Sequence, residues 1–100
     1  MRAAVRWTSE DVARRAAEHL VAQCTRQRAR WLYSEACERY KDRCNLERVD
    51  VTDPAFRRAT KKAYATYRRA RQAEYNAARR LATAIRGSEV FLEVSDARAR

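Results

Sequence analysis

Residues 53–86, DPAFRRATKKAYATYRRARQAEYNAARRLATAIR, decide the fold. Asp53 can accept hydrogen bonds from the free amides of a first helical turn, and Pro54 is tolerated at the first helical position because its missing N–H has no partner there. Arg86 is followed by Gly87, which takes the left-handed conformation that ends many helices without a steric penalty. The stretch between them contains neither proline nor glycine, so it predicts a single helix about 50 Å long.

One side of this predicted helix is apolar. Its residues recur at steps of three and four, which is the helical period. The stripe consists of Phe56, Ala59, Ala63, Tyr67, Ala70, Glu74, Ala77, Ala78, Leu81 and Ile85. Alanine lets a neighbouring helix approach closely but buries little area, so the larger side chains must supply much of the hydrophobic gain. We interpret Glu74 as a carboxylate paired with a partner helix or lying at a wet edge, with a buried specificity or functional group as the alternative.

The other side of the same helix carries the charge. Ten basic residues lie in 53–86 against two acidic ones, so nearly all of the net charge of +10 resides there. Guanidinium groups suit phosphates, and tyrosine and arginine planes can stack on bases. The predicted nucleic-acid-binding residues are Arg57, Arg58, Lys61, Lys62, Tyr64, Arg68, Arg69, Arg71, Tyr75, Arg79 and Arg80. The alternative is a helix solubilised by arginine, with cation–π pairs between its turns.

Composition restricts the class of protein. One Gly and one Pro among 100 residues indicate a nearly all-helical chain that forms one small domain with a modest core. The apolar content of 46% is too high for general disorder. The basic excess indicates an anionic partner, either nucleic acid or an acidic protein surface. Because no apolar run has the length of a membrane span and no signal-peptide core follows Met1, we expect a cytoplasmic protein without a membrane partner.

Residues 8–44 predict the first helix, with Thr8 as its cap and Asp11 in the capping-box position. Its apolar face changes sides along the chain. One side carries Val12, Ala13, Ala16, Ala17, Leu20 and Cys24, and nearly the opposite side carries Ala29, Leu32, Tyr33, Ala36, Tyr40 and Cys44. Either the helix breaks near Thr25–Arg28 to give three helices, or one long helix offers its first half to the second helix and its second half to another copy or another protein. We favour the continuous helix because neither glycine nor proline marks a break.

The connector, residues 45–52, is short enough to make the two helices antiparallel neighbours, so the expected fold is an all-α hairpin. The register expected, within about one turn, places Val12 near Ile85, Ala16 near Leu81, Leu20 near Ala77 and Ala78, and Gln23 opposite Glu74. Residues 3–7 and 89–94 alternate in a way that predicts short extended segments, which could pair with each other. Exchange of the second segment with another protomer and its addition to a partner's sheet are the alternatives. The tail, residues 87–100, is expected to be extended.

Neither a catalytic nor a metal-binding arrangement appears in the sequence. His19 is the only histidine, and it lies on the polar side of an amphipathic helix without a distinctive local motif. Cys24, Cys37 and Cys44 lack paired metal spacing, and we interpret them as reduced thiols. We therefore predict no enzymatic activity, no cofactor and no metal.

Two hypotheses about function follow. The first is a nucleic-acid-binding protein that lays its basic face along phosphates. The second is a protein-interaction module, such as a small inhibitor, adaptor or assembly subunit, small phage-type proteins included, that docks a larger complex. Its interface would be the second apolar face of the first helix, consisting of Leu32, Tyr33, Ala36 and Tyr40. A homodimer through that face is a further alternative.

Overall fold

The computed structural model describes residues 7–88, which form two long α-helices. Helix α1 spans Ser9–Cys44 and α2 spans Pro54–Arg86, and they pack along each other as an antiparallel hairpin. This confirms the all-α hairpin expected from the sequence. Helix α1 continues through Thr25, whose Oγ1 donates to the carbonyl oxygen of Val21 at 2.9 Å. The break near Thr25 that would have given three helices therefore does not occur.

Both ends of α1 are closed by local hydrogen bonds. The amide of Asp11 donates to Oγ1 of Thr8 at 3.1 Å, and the amide of Thr8 donates to Oδ2 of Asp11 at 3.0 Å. The hydrogen bonds from Thr8 lower the pKa of Asp11. At the other end Asn45 adopts the left-handed conformation, with φ 54°, and the amide of Leu46 donates to the carbonyl oxygen of Lys41 at 2.9 Å. This is the Schellman arrangement, in which asparagine takes the place that glycine usually occupies.

Gly87 ends α2, but not in the conformation expected from the sequence. Its φ is −92° and its ψ is 6°, so the prediction of a left-handed cap is wrong. A Cβ atom at this position would lie 2.7 Å from Cδ1 of Trp7, so glycine is needed there for the close approach of the indole. The amide of Trp7 donates to the carbonyl oxygen of Gly87 at 3.2 Å, and Trp7 forms a parallel bridge with Ser88. Apart from Trp7, the predicted extended segments 3–7 and 89–94 lie outside the described residues.

The face of α2 that packs on α1 largely follows the predicted stripe. Its fully buried residues are Phe56, Thr60, Ala70, Ala77 and Ala84. Two positions of the prediction are wrong. Ala59 is exposed and Thr60 is buried instead, with its hydroxyl donating to the carbonyl oxygen of Phe56. Ile85 is 37% exposed, whereas Ala84 is fully covered.

The face of α1 that packs on α2 is not the one predicted for its first half. Leu20 is 59% exposed, and Ala13, Ala16, Ala17 and Cys24 are exposed as well. The buried and half-buried residues instead continue one face at steps of three and four. They include Val12, Arg15, His19, Ala22, Arg26, Ala29, Tyr33, Ala36 and Tyr40. We call the contact between this face and its counterpart on α2 the seam. The seam does not change sides: it is polar in the first half of α1 and aromatic in the second.

Aromatic contacts explain why this face is the one that packs. The rings of Tyr33 and Tyr67 are stacked with centroids 6.1 Å apart, and Tyr33 also contacts Tyr64 at 5.3 Å. The ring of Tyr40 meets that of Phe56 edge-on at 5.5 Å. Aromatic side chains bury more area than alanine or cysteine and gain further from these geometries. They therefore determine the orientation of α1, and the smaller apolar residues of its first half face solvent.

One ion pair fixes the register of the two helices. The Nε of Arg26 donates to both carboxylate oxygens of Glu74, at 3.2 and 3.0 Å. The residue of α1 that pairs with Glu74 is thus three positions beyond the predicted Gln23, which is within the one helical turn allowed for the predicted register. The expectation that Glu74 pairs with the neighbouring helix is confirmed. Each side chain of the pair is 23% exposed, so the carboxylate is at the edge of the seam.

The helix ends next to the connector are tied together by Tyr40. Its hydroxyl donates to Oδ2 of Asp53 at 3.1 Å, while Oδ1 of Asp53 accepts from the amide of Ala55 at 3.1 Å. Asp53 thus caps α2 and anchors α1 at once. Burial and the hydrogen bond to Asp53 raise the pKa of Tyr40 to about 12. Its phenol is protonated in the hairpin well above the pH at which a free tyrosine ionises.

This pKa predicts a loss of stability in alkaline solution. Because the folded-state pKa of Tyr40 is raised from 10.0 to about 12, its stabilising effect is complete below pH 10 and disappears as the pH rises through the folded-state value. Urea unfolding followed at increasing pH measures the fall, and phenolate absorbance follows the ionisation. In Tyr40→Phe the highest-pH component of the absorbance titration should be absent. An unchanged titration in that variant would contradict the assignment.

Candidate nucleic-acid interface

The predicted binding residues all lie on the solvent side of α2. Each of the eleven is exposed, because none of them lies at the centre of the seam. Seven of them follow one another at steps of three and four and therefore form a continuous line along the helix. This line, which we call the arginine–tyrosine stripe, consists of Arg57, Lys61, Tyr64, Arg68, Arg71, Tyr75 and Arg79. The remaining four, Arg58, Lys62, Arg69 and Arg80, lie further round the helix.

The charge of this surface is not neutralised within the hairpin. Helix α2 contains ten basic residues and one acidic residue, Glu74. Glu74 is turned into the seam and held by Arg26. Among residues 7–88, none of the ten cations of α2 has a carboxylate within salt-bridge distance. No carboxylate of that range therefore competes with an external anion for these cations, although the Nε of Arg57 donates to the carbonyl oxygen of Val51 at 3.0 Å.

Two tyrosines of the stripe offer exposed ring surface next to arginine. Tyr75 is 58% exposed, and the guanidinium of Arg79 lies over its ring at 5.7 Å from the centroid. Tyr64 is 43% exposed, and it also contacts Tyr33. Such ring surfaces can stack on an unpaired base while neighbouring arginines hold its phosphate. The guanidinium of Arg71 lies over the half-buried Tyr67 at 5.5 Å.

A groove lies beside the first half of the stripe. Its volume is about 770 Å³. Aromatic rings of Tyr33, Phe56 and Tyr64 line it together with Val51 and Thr60. Basic residues at its border are Arg57, Arg58, Lys61 and Arg68. The groove therefore combines an apolar lining with a positively charged rim, which suits a planar group attached to a phosphate.

The sequence did not reveal this groove, because its lining comes from three parts of the chain. Tyr33 belongs to α1, Val51 to the connector and Tyr64 to α2. Phe56 and Thr60 carry no polar signature of a binding site, and both are buried. The one available signal was that Tyr33 precedes Tyr40 by seven residues. Seven residues make about two helical turns, so both rings lie on the same side of α1. A second, smaller depression along the stripe is lined by Arg68, Arg69, Arg71, Gln72 and Tyr75.

The predicted protein-interface residues are divided by the hairpin. Tyr40 is buried, and Tyr33 and Ala36 are half-buried in the seam. Packing against α2 covers Tyr40 and most of Ala36, and it leaves Tyr33 reachable along the groove that it lines. Leu32 is 37% exposed and remains accessible. Leu32 is therefore the one residue of these four that the hairpin leaves exposed.

The single histidine lies in a shallow depression that also contains Arg26 and Glu74. It is half-buried on the seam side of α1, so the side of the helix that the sequence indicates as polar is in fact the side that packs on α2. The neighbouring carboxylate is already engaged by Arg26, which leaves it poorly placed to act as a base. Within residues 7–88, no group of three or more His, Cys, Asp or Glu side chains is arranged to hold a metal ion.

Comparison with protein-family models, curated proteins and solved structures yields no match to this chain. In the part of the chain that the structure describes, neither helix is both long and apolar enough to cross a bilayer. The molecule is therefore defined by its geometry: an antiparallel helical hairpin with one strongly basic helix.

Proposed function

We propose that this chain is a non-enzymatic nucleic-acid-binding protein that lays the exposed face of α2 along phosphates. The observation that carries the proposal is the separation of charge on α2, in which none of the ten basic residues has a carboxylate of residues 7–88 within salt-bridge distance and the one acidic residue is held in the seam. Neutralising phosphates releases counterions, so this term supplies affinity for any sequence. The hairpin supports the basic helix along its length and keeps the face continuous.

The tyrosines add a preference for unpaired bases to this electrostatic term. Tyr64 and Tyr75 expose ring surface beside arginines of the stripe, and base stacking on such rings is worth about 1–3 kcal/mol per base.

A cytoplasmic location belongs to the same proposal, since Cys24, Cys37 and Cys44 are free thiols and such thiols persist in reducing compartments.

Charge reversal tests the proposed site. We expect Arg68→Glu, Arg71→Glu and Arg79→Glu in one chain to weaken binding to a labelled oligonucleotide by about a hundredfold or more, because three phosphate contacts become repulsive. The matched control reverses Arg30, Arg39 and Arg48, which are exposed and outside α2. Both variants carry the same net charge, so only a local effect separates them. Equal loss in the two variants, with helix content retained, would show that the stripe is not the site.

A second candidate function is association with another protein, and exposed apolar residues of α1 favour it. Leu20 and Trp31 are each 59% exposed, and Val21 is 65% exposed. Exposed apolar groups of this size on one helix commonly mark a contact surface. A complex that survives nuclease treatment and high salt would support this candidate, whereas phosphate binding would be lost under the same conditions.

A further inference from the structure

The side of α1 opposite the seam carries a line of exposed apolar residues. It consists of Ala13, Ala17, Leu20, Cys24 and Trp31, all of them exposed. Their steps of four, three, four and seven keep them on one side of the helix, with Gln27 as the polar residue between Cys24 and Trp31, and this is the spacing of a second helix–helix contact. Leu20 and Trp31 are the largest members, and each is 59% exposed. Helix α1 thus has two packing faces, and only one of them is covered by α2.

We propose that this second face binds the same face of a second copy of the chain, with the two α1 helices antiparallel. Charge selects this arrangement. Helix α1 contains eight basic and six acidic residues, whereas α2 contains ten basic and one acidic. Two copies that meet through α1 bring their nearly neutral helices together and leave both basic helices outside, so repulsion between the copies is small.

The charged residues beside the apolar line also fix the register. In an antiparallel pair, the alignment that places Leu20 against Trp31 of the second copy also places Arg14 against Glu35 of the second copy. The same alignment brings Glu10 to Lys41 of the second copy, and the two-fold symmetry repeats every one of these pairs. A shift by one heptad in one direction would instead oppose Arg14 and Arg28 of the second copy, and a shift in the other direction would pair Arg14 with Asp42 but oppose the two copies of Arg28. Opposite charges beside the contact thus favour a single alignment, as flanking charges do in coiled coils.

The dimer must exchange ion pairs within α1 for the new ones, and one of these joins Lys41 to Glu38 at 3.4 Å. Arg14 is 62% exposed and its present partner, Asp11, lies on the same helix at 3.3 Å, an exposed pair that contributes little. Most of the apolar line is alanine, which allows close approach but buries limited area. The dimer is therefore reversible and concentration-dependent rather than obligate. The dimer presents the basic faces of its two α2 helices on opposite sides. The dimer proposal does not depend on which anion those faces bind.

Sedimentation equilibrium of the nuclease-treated chain, from low to high micromolar concentration, tests the proposal. We expect a monomer–dimer equilibrium that Trp31→Ala weakens by about tenfold or more, since a buried tryptophan commonly dominates such contacts. Leu46→Ala removes an apolar side chain that is 42% exposed in the connector and should leave the equilibrium unchanged. A chain that stays monomeric throughout would overturn the proposal, including the case in which this face serves a different protein.

Charge exchange tests the antiparallel alignment separately. Glu35→Arg should weaken the dimer, because it opposes Arg14 of the second copy, and Arg14→Glu combined with Glu35→Arg should restore it. Absence of this rescue would overturn the proposed alignment. The α2 variant with Arg68, Arg71 and Arg79 reversed should dimerise like the unmodified chain, so a failure of nucleic-acid binding and a failure of dimerisation can be told apart.

Discussion

Replacing Phe56 with alanine should lower the free energy of unfolding by about 3–5 kcal/mol, the usual cost of removing a buried aromatic side chain. Phe56 is 3% exposed, and its ring meets the ring of Tyr40 at 5.5 Å. Much of the remaining seam is alanine, so few other side chains can offset the loss. A domain of this size has a total stability of about 5–15 kcal/mol, and the variant should therefore be largely unfolded under mild denaturing conditions.

Leu20→Ala is the matched control for that experiment, because it removes a large apolar side chain from the exposed side of α1. With Leu20 59% exposed, we expect a change within about 0.5 kcal/mol at concentrations where the chain is monomeric. Urea unfolding followed by far-ultraviolet circular dichroism measures both variants. The packing described for α1 would be contradicted if Leu20→Ala destabilised the chain as much as Phe56→Ala does.

The ion pair between Arg26 and Glu74 should give the second large effect. Removing one partner leaves a charge in the seam without its counterpart, and we expect Arg26→Leu or Glu74→Leu to cost about 2–3 kcal/mol each. Replacing both residues with leucine should recover most of that loss, because apolar side chains of similar size suit a helix–helix contact. The pair is 23% exposed on each side, which is why these costs lie below those of a fully buried pair.

The double-mutant cycle of these variants measures whether the two residues are in contact. We expect a coupling free energy of about 1.5 kcal/mol or more between residues 26 and 74. Gln23→Leu combined with Glu74→Leu serves as the control and should show additive effects. Coupling through residue 23 in place of residue 26 would mean that the helices are aligned one turn away from the register described here.

Helix α2 could be predicted closely from the sequence because its signals agree with one another. The Asp53–Pro54 start, the stop before Gly87 and a single apolar side all describe the same helix. The residues missed, Thr60 and Ala84, each lie one position from a predicted residue. Gly87 shows the limit of local signals: its place at the helix end was predicted, but the reason is the contact with Trp7, which is distant in sequence.

Helix α1 could not be oriented from its own sequence because it is apolar on two opposite sides. The leucine, alanine and cysteine residues on one side of α1 recur with the helical spacing as clearly as the tyrosine and alanine residues on the other side. The decision depends on the partner helix, where Tyr67 and Phe56 match Tyr33 and Tyr40. Glu74, the carboxylate within the apolar side of α2, also requires a cation from α1. Arg26 supplies it, and Arg26 lies on the same side of α1 as Tyr33, seven residues later.

The candidate site divides in the same way. The exposed cations of α2 could be predicted, since they follow directly from which side of the helix packs. The groove between Tyr33, Val51 and Tyr64 could not, because it depends on how α1, the connector and α2 come together. Local charge is therefore visible in the sequence, whereas concave shape requires the tertiary structure.

The most direct test of the central claim is the affinity of the intact chain for a labelled single-stranded oligonucleotide as the salt concentration is raised. A basic face that makes six or more phosphate contacts should lose about a thousandfold or more in affinity between roughly 50 and 200 mM salt. That steep decline is the predicted result. Binding that does not change with salt, or no binding at the lower concentration, would contradict the claim that α2 is a phosphate-binding surface.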